Sequence, residues 1–491
     1  MSMARRQLPV RCAKIAFNYL ICICFLSSCV SGSDYKKPVP LMPVTWKVEE
    51  PFRPSNPSDG LSKGPWWERF GDARLNALQQ QALKDSPNMA VAAARLSQAT
   101  ALLNAAGAGV YPSFGVAGRD ARTRLSASRP LNSNTTPMYT TTQSDFVLAL
   151  TASYEVDLAG RVARTIEGAR ATAEQTAADL ENVRLLLTAD LATAYFNLRA
   201  VDIELDVLSR SIALQRKSLE LASSRFELGA TSGLDKAQQQ ALLDNTLIQV
   251  DVLRRQRAQF QNALATLTGT PAPLFSLAPD IKPLEPPQIP LGVPSDLLER
   301  RPDVAAAERA MAAANAQIGV ASAGFYPSIL LGGLYGSEAR RTELMWKTAS
   351  YIWSLGLTAA FTIFDGGRLR GLEDSAKAGY EVTAGNYRRV VLTAMQEAED
   401  GILGLAALER AHLQAQAAIA SANRVLELAT ARYEGGIATS LDVILAQQGL
   451  LNSERQAAQL QGQRLLTSVF LVKALGGDWQ GTGKLSATPK N

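Results

Sequence analysis

The stretch SDFVLALTASYEVDLAGR, Ser144 to Arg161, changes period part-way along its length. Phe146, Leu148, Leu150, Ala152, Tyr154, Val156 and Leu158 alternate with Val147, Ala149, Thr151, Ser153, Glu155 and Asp157, so one side is apolar and the other small or polar. Period two over about a dozen residues fits a transmembrane strand with lipid on one side and water on the other, and a half-buried soluble sheet gives the same alternation. Beyond Gly160 the alternation stops. Proline is absent from Met138 to Thr270, which predicts an unbroken helix from about Arg161 to about Phe226. At 1.5 Å per residue, roughly 65 residues span about 98 Å, several times the length of an ordinary globular helix.

This pattern occurs twice. YIWSLGLTAAFTIFD, Tyr351 to Asp365, repeats the alternation, and Ser328 to Thr488 again lacks proline. AGAGVYPSF at Ala106–Phe114 recurs as ASAGFYPSI at Ala321–Ile329, an offset of 215 that also carries Pro87 to Pro302. DLAGR at Asp157–Arg161 matches FDGGR at Phe364–Arg368, and SRFELGATSGLD at Ser224–Asp235 matches ARYEGGIATSLD at Ala431–Asp442, both at an offset of 207. A duplication of this period implies two copies of one supersecondary unit. The fall in offset places one length difference in a loop between the Tyr-Pro-Ser and Gly-Arg motifs, longer in the first copy. Each copy predicts a short helix, two extended segments, a very long helix, a Gly-containing break and a second short helix. In the first copy the helices run from Pro87 to about Ala106, 161 to 226 and 234 to 267; in the second, 302 to 321, 368 to 433 and 441 to 475. The two short helices sum to nearly one long helix and would stack end to end beside it.

Four strands per chain cannot close a barrel, and an open sheet edge is not tolerated in lipid. Several chains therefore have to contribute to one barrel. The expected fold is mainly α with a transmembrane β-barrel and duplicated long antiparallel helical hairpins. The expected division is a signal peptide at 1–28 and a lipid-anchored, Pro-rich segment at 29–70. The first repeat follows at 71–270, with strands at about 111–125 and 144–158. A Pro-rich linker at 271–294 forms a belt at mid-height. The second repeat spans 295–476, with strands at about 327–339 and 351–365, and 477–491 is a flexible C-terminal tail.

The N-terminus has its own logic. Arg5, Arg6, Arg11 and Lys14 precede an apolar run from Ile15 to Leu26, the pattern of a secretory signal. Leu26-Ser27-Ser28-Cys29 resembles a bacterial lipobox, in which the cysteine is lipidated and becomes the new N-terminus. All four cysteines, Cys12, Cys22, Cys24 and Cys29, lie in this region, so the mature chain retains no disulfide framework that would explain Cys29. Ser31 to Pro38 reads as a solvated tether, and Val30 is not the Asp that retains lipoproteins in the inner membrane. Removal of the signal brings the formal charge from +5 to +1, which leaves no net electrostatic footprint for nucleic acid. One histidine, His412, and no cysteine cluster argue against a zinc site. No nucleophile elbow, P-loop or zincin motif is present, so the expectation is a non-enzymatic protein whose sole covalent group is the lipid on Cys29.

The start Cys29-x-x-Gly32-x-Asp34-Tyr35-x-x-Pro38, the run Trp66-Trp67-Glu68-Arg69-Phe70-Gly71-Asp72, Tyr154 to Arg161, Arg301-Pro302-Asp303-Val304 with Ala307-Glu308, and Tyr326-Pro327-Ser328 together resemble the TolC-like outer-membrane efflux proteins, in their lipoprotein OprM and NodT branch. The resemblance covers nearly the whole mature chain. It implies a homotrimer with four strands per subunit in a shared twelve-stranded barrel, held in outer-membrane lipid and continued by the helical hairpins as a periplasmic tunnel. It also implies two partners, a periplasmic adaptor (membrane fusion) protein and an inner-membrane pump of the resistance-nodulation-division type. The chain would be a passive conduit for drugs or other small amphiphiles. Two other readings remain open at this point: a type I protein secretion conduit, which shares the fold, and a soluble coiled-coil scaffold.

The same resemblance locates the working parts at the two helix breaks. Asp235 and Asp442 occupy equivalent places in the repeats, where acidic or apolar residues line a closed entrance in the family, and Tyr433 matches a tyrosine that packs in the closed state. Either aspartate equally suits the N-terminal dipole of the helix that follows it. Leu445 and Gln448 stand where an acidic and a basic gate residue are expected, so Leu441 and Leu445 form an alternative apolar constriction. Gly229, Gly233, Gly435 and Gly436 are assigned to the turns that would dock the adaptor, and His412 is expected to be solvated.

Overall fold

The computed structural model describes residues 32–38, 65–126, 141–287, 289 and 300–477. The signal segment 1–28, the lipidation residue Cys29, the end of the Pro-rich linker and the tail beyond 477 lie outside the described residues. Helix α1 (Ala73–Asp85) follows a buried 3-10 turn, Trp66–Phe70, and is capped by Asp72, which accepts from the backbone N–H groups of Arg74 and Leu75. Helix α2 (Pro87–Gly107) starts on the proline expected at a first helical position. Strands β1 (Ser113–Leu125) and β2 (Thr141–Val156) lead into α3 (Arg161–Glu227), then α4 (Gly233–Leu267). The second copy supplies α5 (Pro302–Ala323), β3 (Ser328–Ala339), β4 (Tyr351–Ala360), α6 (Arg368–Glu434) and α7 (Ser440–Ala474). The two long helices have the same length, 67 residues, and the two that follow them are both 35 residues long. Helix α1 is absent from the sequence expectation because its polar run, NALQQQALKD, has only a thin apolar stripe, Leu75, Leu78 and Ala82.

Strand limits differ from those expected, for local reasons. Strand β2 stops at Val156 rather than 158 because Asp157 turns to cap α3, accepting from the N–H groups of Val162 at 3.0 Å and Ala163 at 2.8 Å. Strand β4 stops at Ala360 rather than 365, and Asp365 caps α6 through the N–H groups of Gly367 and Leu369. At the other ends, Pro112 and Pro327 have no N–H for a ladder, so β1 and β3 begin one residue later.

Among the described residues the sheet is four-stranded and antiparallel throughout, in the order β1-β2-β3-β4. Its register aligns Val116, Leu150, Tyr335 and Trp353 in one row and Phe114, Ala152, Gly333 and Leu355 in the next, all on one face. Gly115, Thr151, Leu334 and Ser354 form a row on the opposite face. Phe114, Val116, Trp353 and Leu355 are between 71% and 79% exposed, which leaves a broad apolar face uncovered by the chain itself. From Val156 to Phe146 this face rises roughly 33 Å along the strand, or about 25 Å at a 40° tilt, the height of a transmembrane barrel's apolar band. No described helix is long and apolar enough to cross a membrane.

The chain packs as two units, and each draws on both repeats. Of the described residues, one comprises 32–38, 97–126, 141–174 and 309–385. Within it, residues 32–38 are mostly exposed, as a solvated tether would be, but they are tied down: Arg164, 4% exposed, donates to the carbonyl of Gly32 at 3.1 Å and to Asp34 at 2.9 Å, and Asn315 donates to the carbonyl of Ser33. A Cβ at Gly32 would lie 3.0 Å from the Cα of Gly319, so the segment is seated directly on helix backbone.

Of the described residues, the other unit comprises 65–96, 175–287, 289, 300–308 and 386–477. Trp66, Trp67 and Phe70 are buried and stack in edge-on pairs, and Phe70 continues into Phe196 of α3 at 4.8 Å between ring centres. Fully buried alanines, Ala192, Ala398, Ala406 and Ala474, let helices approach closely, and at Gly462 a Cβ would lie 2.8 Å from that of Ala200. Beyond a short 3-10 turn at Ala272–Leu274 the described linker residues lack regular structure, so side chains satisfy their carbonyls. Arg199 donates to those of Asp280 and Lys282, Arg257 to that of Leu277 and Gln261 to that of Phe275. Arg199 also reaches Asp72 at 2.9 Å, and Asp72 accepts from the hydroxyl of Tyr195 at 2.6 Å. Burial, with the Asp72 carboxylate beside it, pushes the Tyr195 phenol well above its ordinary value, so it donates at every accessible pH.

Arg199→Leu is expected to strand the Asp72 carboxylate and two linker carbonyls, at about 3–5 kcal/mol of stability. Tyr195→Phe is expected to cost about 1 kcal/mol. Denaturant unfolding of the full chain followed by tryptophan fluorescence checks both; equal, near-zero effects would contradict the assignment.

Candidate functional site

The two helix breaks are built by one device. At the end of α3, the N–H of Ala230 bonds the carbonyl of Arg225 and that of Gly229 bonds Phe226, with Gly229 at φ 71°. At the end of α6, Ile437 bonds Arg432 and Gly436 bonds Tyr433, with Gly436 at φ 74°. Both are Schellman turns with glycine in the left-handed position, and they are 207 residues apart, as the repeat requires. The other two glycines serve differently. Gly233 is the first residue of α4, packed against the Phe226 ring, where a Cβ would lie 3.5 Å away. Gly435 precedes the left-handed residue, its N–H still bonding the carbonyl of Ala431 in helical fashion.

The two equivalent aspartates diverge. Asp442 caps its own helix: its carboxylate accepts from the N–H and the hydroxyl of Thr439, each at 2.9 Å. Asp235 instead accepts from Thr231 on its own break and from Ser440 on the other, so this carboxylate ties the start of α4 to the start of α7. The Ser440 and Thr231 hydroxyls hold its pKa below the usual carboxylate range. Asp442 is likewise lowered, by the Thr439 N–H and hydroxyl.

Tyr433 is met by a residue sequence reasoning missed. The Arg225 guanidinium lies 4.5 Å from the Tyr433 ring centre and donates to its carbonyl at 3.4 Å, a second tie between the breaks. The Tyr433 hydroxyl is shielded and has no hydrogen-bond partner among the described residues. Leu441 and Leu445, one turn apart on α7, are 47% and 57% exposed, so neither is packed within the chain. With Val425, Leu428 and Ile437 they leave an exposed apolar surface; a groove of about 340 Å³ there is lined by Val425, Leu428, Arg432, Ile437 and Asp442. The candidate residues therefore form two groups: Asp235, Ser440, Arg225 and Tyr433 join the breaks, and Leu441, Leu445 and Asp442 face outward. A signal for Ser440 was present in the repeat itself, because TSGLD became TSLD with a serine where the first copy has Gly233. His412, expected to be solvated, is half-buried on α6, with its Nδ1 shielded and without a hydrogen-bond partner among the described residues.

The outer membrane efflux protein family model matches residues 78–270 and 293–477. The chain belongs to this family. It is 30% identical over 462 residues to the pyoverdine export outer membrane protein OpmQ of Pseudomonas aeruginosa, spanning 93% of this chain and 96% of that protein. It is also 30% identical to the toluene efflux pump outer membrane protein TtgF of Pseudomonas putida, over 95% of this chain and 97% of that one. The solved structure of the outer-membrane channel OprN superposes with a TM-score of 0.83 at 28% identity, covering 91% of this chain and 99% of the channel. This outer membrane efflux protein is thus a TolC-like channel subunit of the outer membrane, mainly helical with a small membrane sheet, and its helical part is periplasmic.

The Asp235 tie has a defined pH range. Because its pKa is depressed in the folded chain, the stabilisation is complete above the ordinary carboxylate pKa near 4 and is lost only as pH falls through the lower folded value. Protease cleavage near Gly436 should therefore be unchanged from pH 7 to pH 5. Asp235→Asn and Ser440→Ala should each raise it several-fold, whereas Asp442→Ala, which removes only a capping interaction at the start of α7, should raise it less.

Proposed function

We propose that three copies of this chain join their sheets into one twelve-stranded barrel. In this reading it serves as the passive exit duct of a tripartite efflux system for drugs or other small amphiphilic compounds. One observation carries the reading: an apolar sheet of membrane height has only four strands, with both edge strands, β1 and β4, unpaired on their outer sides among the described residues. Unpaired backbone groups in hydrocarbon cost several kcal/mol each, so the sheet requires edges from other copies. The names of OpmQ and TtgF, an exporter of pyoverdine and a toluene pump component, support small molecules as the cargo class. Covalent lipid on Cys29 would tether the N-terminus, and a periplasmic adaptor with an inner-membrane pump of the resistance-nodulation-division type would load the duct. The turns at Gly229 and Gly436, with Gly233 and Gly435 beside them, are the proposed adaptor contacts. Asp235, Tyr433, Leu441, Asp442 and Leu445 are the proposed gate.

Purified full-length protein in mild detergent should have the mass of three chains and open single channels in planar bilayers. Asp235→Ala combined with Asp442→Ala should raise the conductance. A monomer without conductance defeats the proposal, and unchanged conductance in the double variant removes these aspartates from the gate.

A further inference from the structure

The apolar face of the sheet ends in a row of positive charge. Above the row Asp120–Phe146–Ala339, β1 places Arg122 opposite Ser144 and Arg124 opposite Thr142, on the same face as Phe114, Val116 and Trp353. At the same level β3 ends, and Arg340 and Arg341 follow Ala339 directly. All four arginines are exposed, as is Lys347 in the β3–β4 connection. Among the described residues the carboxylates at this level are Asp120, Glu338, Glu343 and Asp145, the last paired with Arg119, so six cations, Arg119 included, face four anions at this rim. The opposite face is handled differently: there Arg119 is neutralised by an ion pair with Asp145.

The β3–β4 connection is a formed platform. Ser337, on the apolar face and 5% exposed, donates to the carbonyls of Met345 and Ser350, and Ser350 donates to that of Leu344 at 2.8 Å. This folds the connection back over the sheet, burying Met345 and leaving Trp346 74% exposed. Just below, Tyr335 and Tyr351 stack at 6.5 Å, with Trp353 alongside. Aromatic side chains with polar tips mark the boundary between hydrocarbon and headgroups. Arg122 and Arg124, two and three rows above the Tyr351 row, stand at headgroup depth, where anionic lipid attracts cations. The β1 and β3 arginines are about 10 Å apart across two strand spacings, a span suited to a headgroup with more than one phosphate.

We propose that this rim, Arg122, Arg124, Arg340 and Arg341 above Trp346, Tyr351 and Trp353, is a binding surface for phosphorylated lipid headgroups of the membrane's outer leaflet. It rests on the reading that the apolar face meets lipid, and it assigns the lipid class at one edge of that face. Arginine suits the role because its planar fork engages phosphate oxygens in pairs.

The test offers diphosphorylated lipid A in mild-detergent micelles to the purified full-length oligomer and counts bound lipid by native mass spectrometry. Wild-type protein should retain lipid A. Retention should fall about tenfold or more when all four arginines are replaced by alanine, and by a similar factor for dephosphorylated lipid A with wild-type protein. Arg119→Ala, on the same strand but the other face, should retain lipid A as wild type does, and millimolar inorganic phosphate should not displace it. Equal retention by the fourfold variant, equal retention of the dephosphorylated lipid, an equal loss with Arg119→Ala, or displacement by free phosphate would each overturn the proposal. If the fourfold variant does not assemble, Arg124→Ala and Arg341→Ala are measured singly, with losses of about threefold expected and no loss counting against the site. Oligomer mass and single-channel conductance, recorded on the same samples, separate a failure of this rim from a failure of the channel reading.

Discussion

Backbone hydrogen bonding in hydrocarbon is the constraint on which the rest of this molecule depends. A strand in lipid must have a neighbour on both sides, and β1 and β4 each have one within the chain. The sheet is therefore incomplete as an object, although its register is fully determined: both neighbours of β2 are in place and each row keeps apolar and small residues on separate faces. Duplication supplies two strands per copy and no more. The protein has a sheet of the right height and a quarter to a third of the strands a pore requires, which makes association part of the fold.

The helical unit meets the opposite problem. It is watered outside and must hold very long helices together without a thick core. It does so by close approach at small residues, such as Gly462 against Ala200, and by arginines placed where irregular backbone crosses helix. Arg199, Arg257 and Arg301 share this work. Arg301 donates to Glu397, Asp303 and the carbonyl of Ala474, the last residue of α7. Burial opposes its charge, but the carboxylates of Asp303 and Glu397 outweigh burial and hold its pKa above the ordinary value. The Arg-Pro-Asp motif is thus a joint between helices: the proline starts α5 while the flanking charges bind its neighbours.

Much of this was legible in the residues. Absent proline and the constant offset of 207 reported the long helices to within one or two positions, because such helices are bounded by glycine and proline, which act locally. Alternation in Ser144–Asp157 reported the strand face for the same reason. What stayed hidden was non-local. Residues 32–38 read as a polar linker because nothing in their own composition shows Arg164 and Asn315 reaching them. Likewise Arg225 is an ordinary helical arginine until the turn at Gly436 brings the Tyr433 ring over it.

The repeat also explains why two aspartates in the same register differ. At break one, the residue after the N-cap is Gly233, which leaves room for the Phe226 ring. At break two it is Ser440, whose hydroxyl reaches across to Asp235, while Asp442, the counterpart of Asp235 in the second repeat, turns back on Thr439. One glycine-to-serine difference thus converts a symmetric pair of helix caps into one cap and one tie. A ring assembled from such chains has three identical subunits but six tips of two kinds, so charge removal at Asp235 loosens a joint within each subunit, whereas removal at Asp442 takes away a capping interaction of α7 and changes the surface each subunit presents.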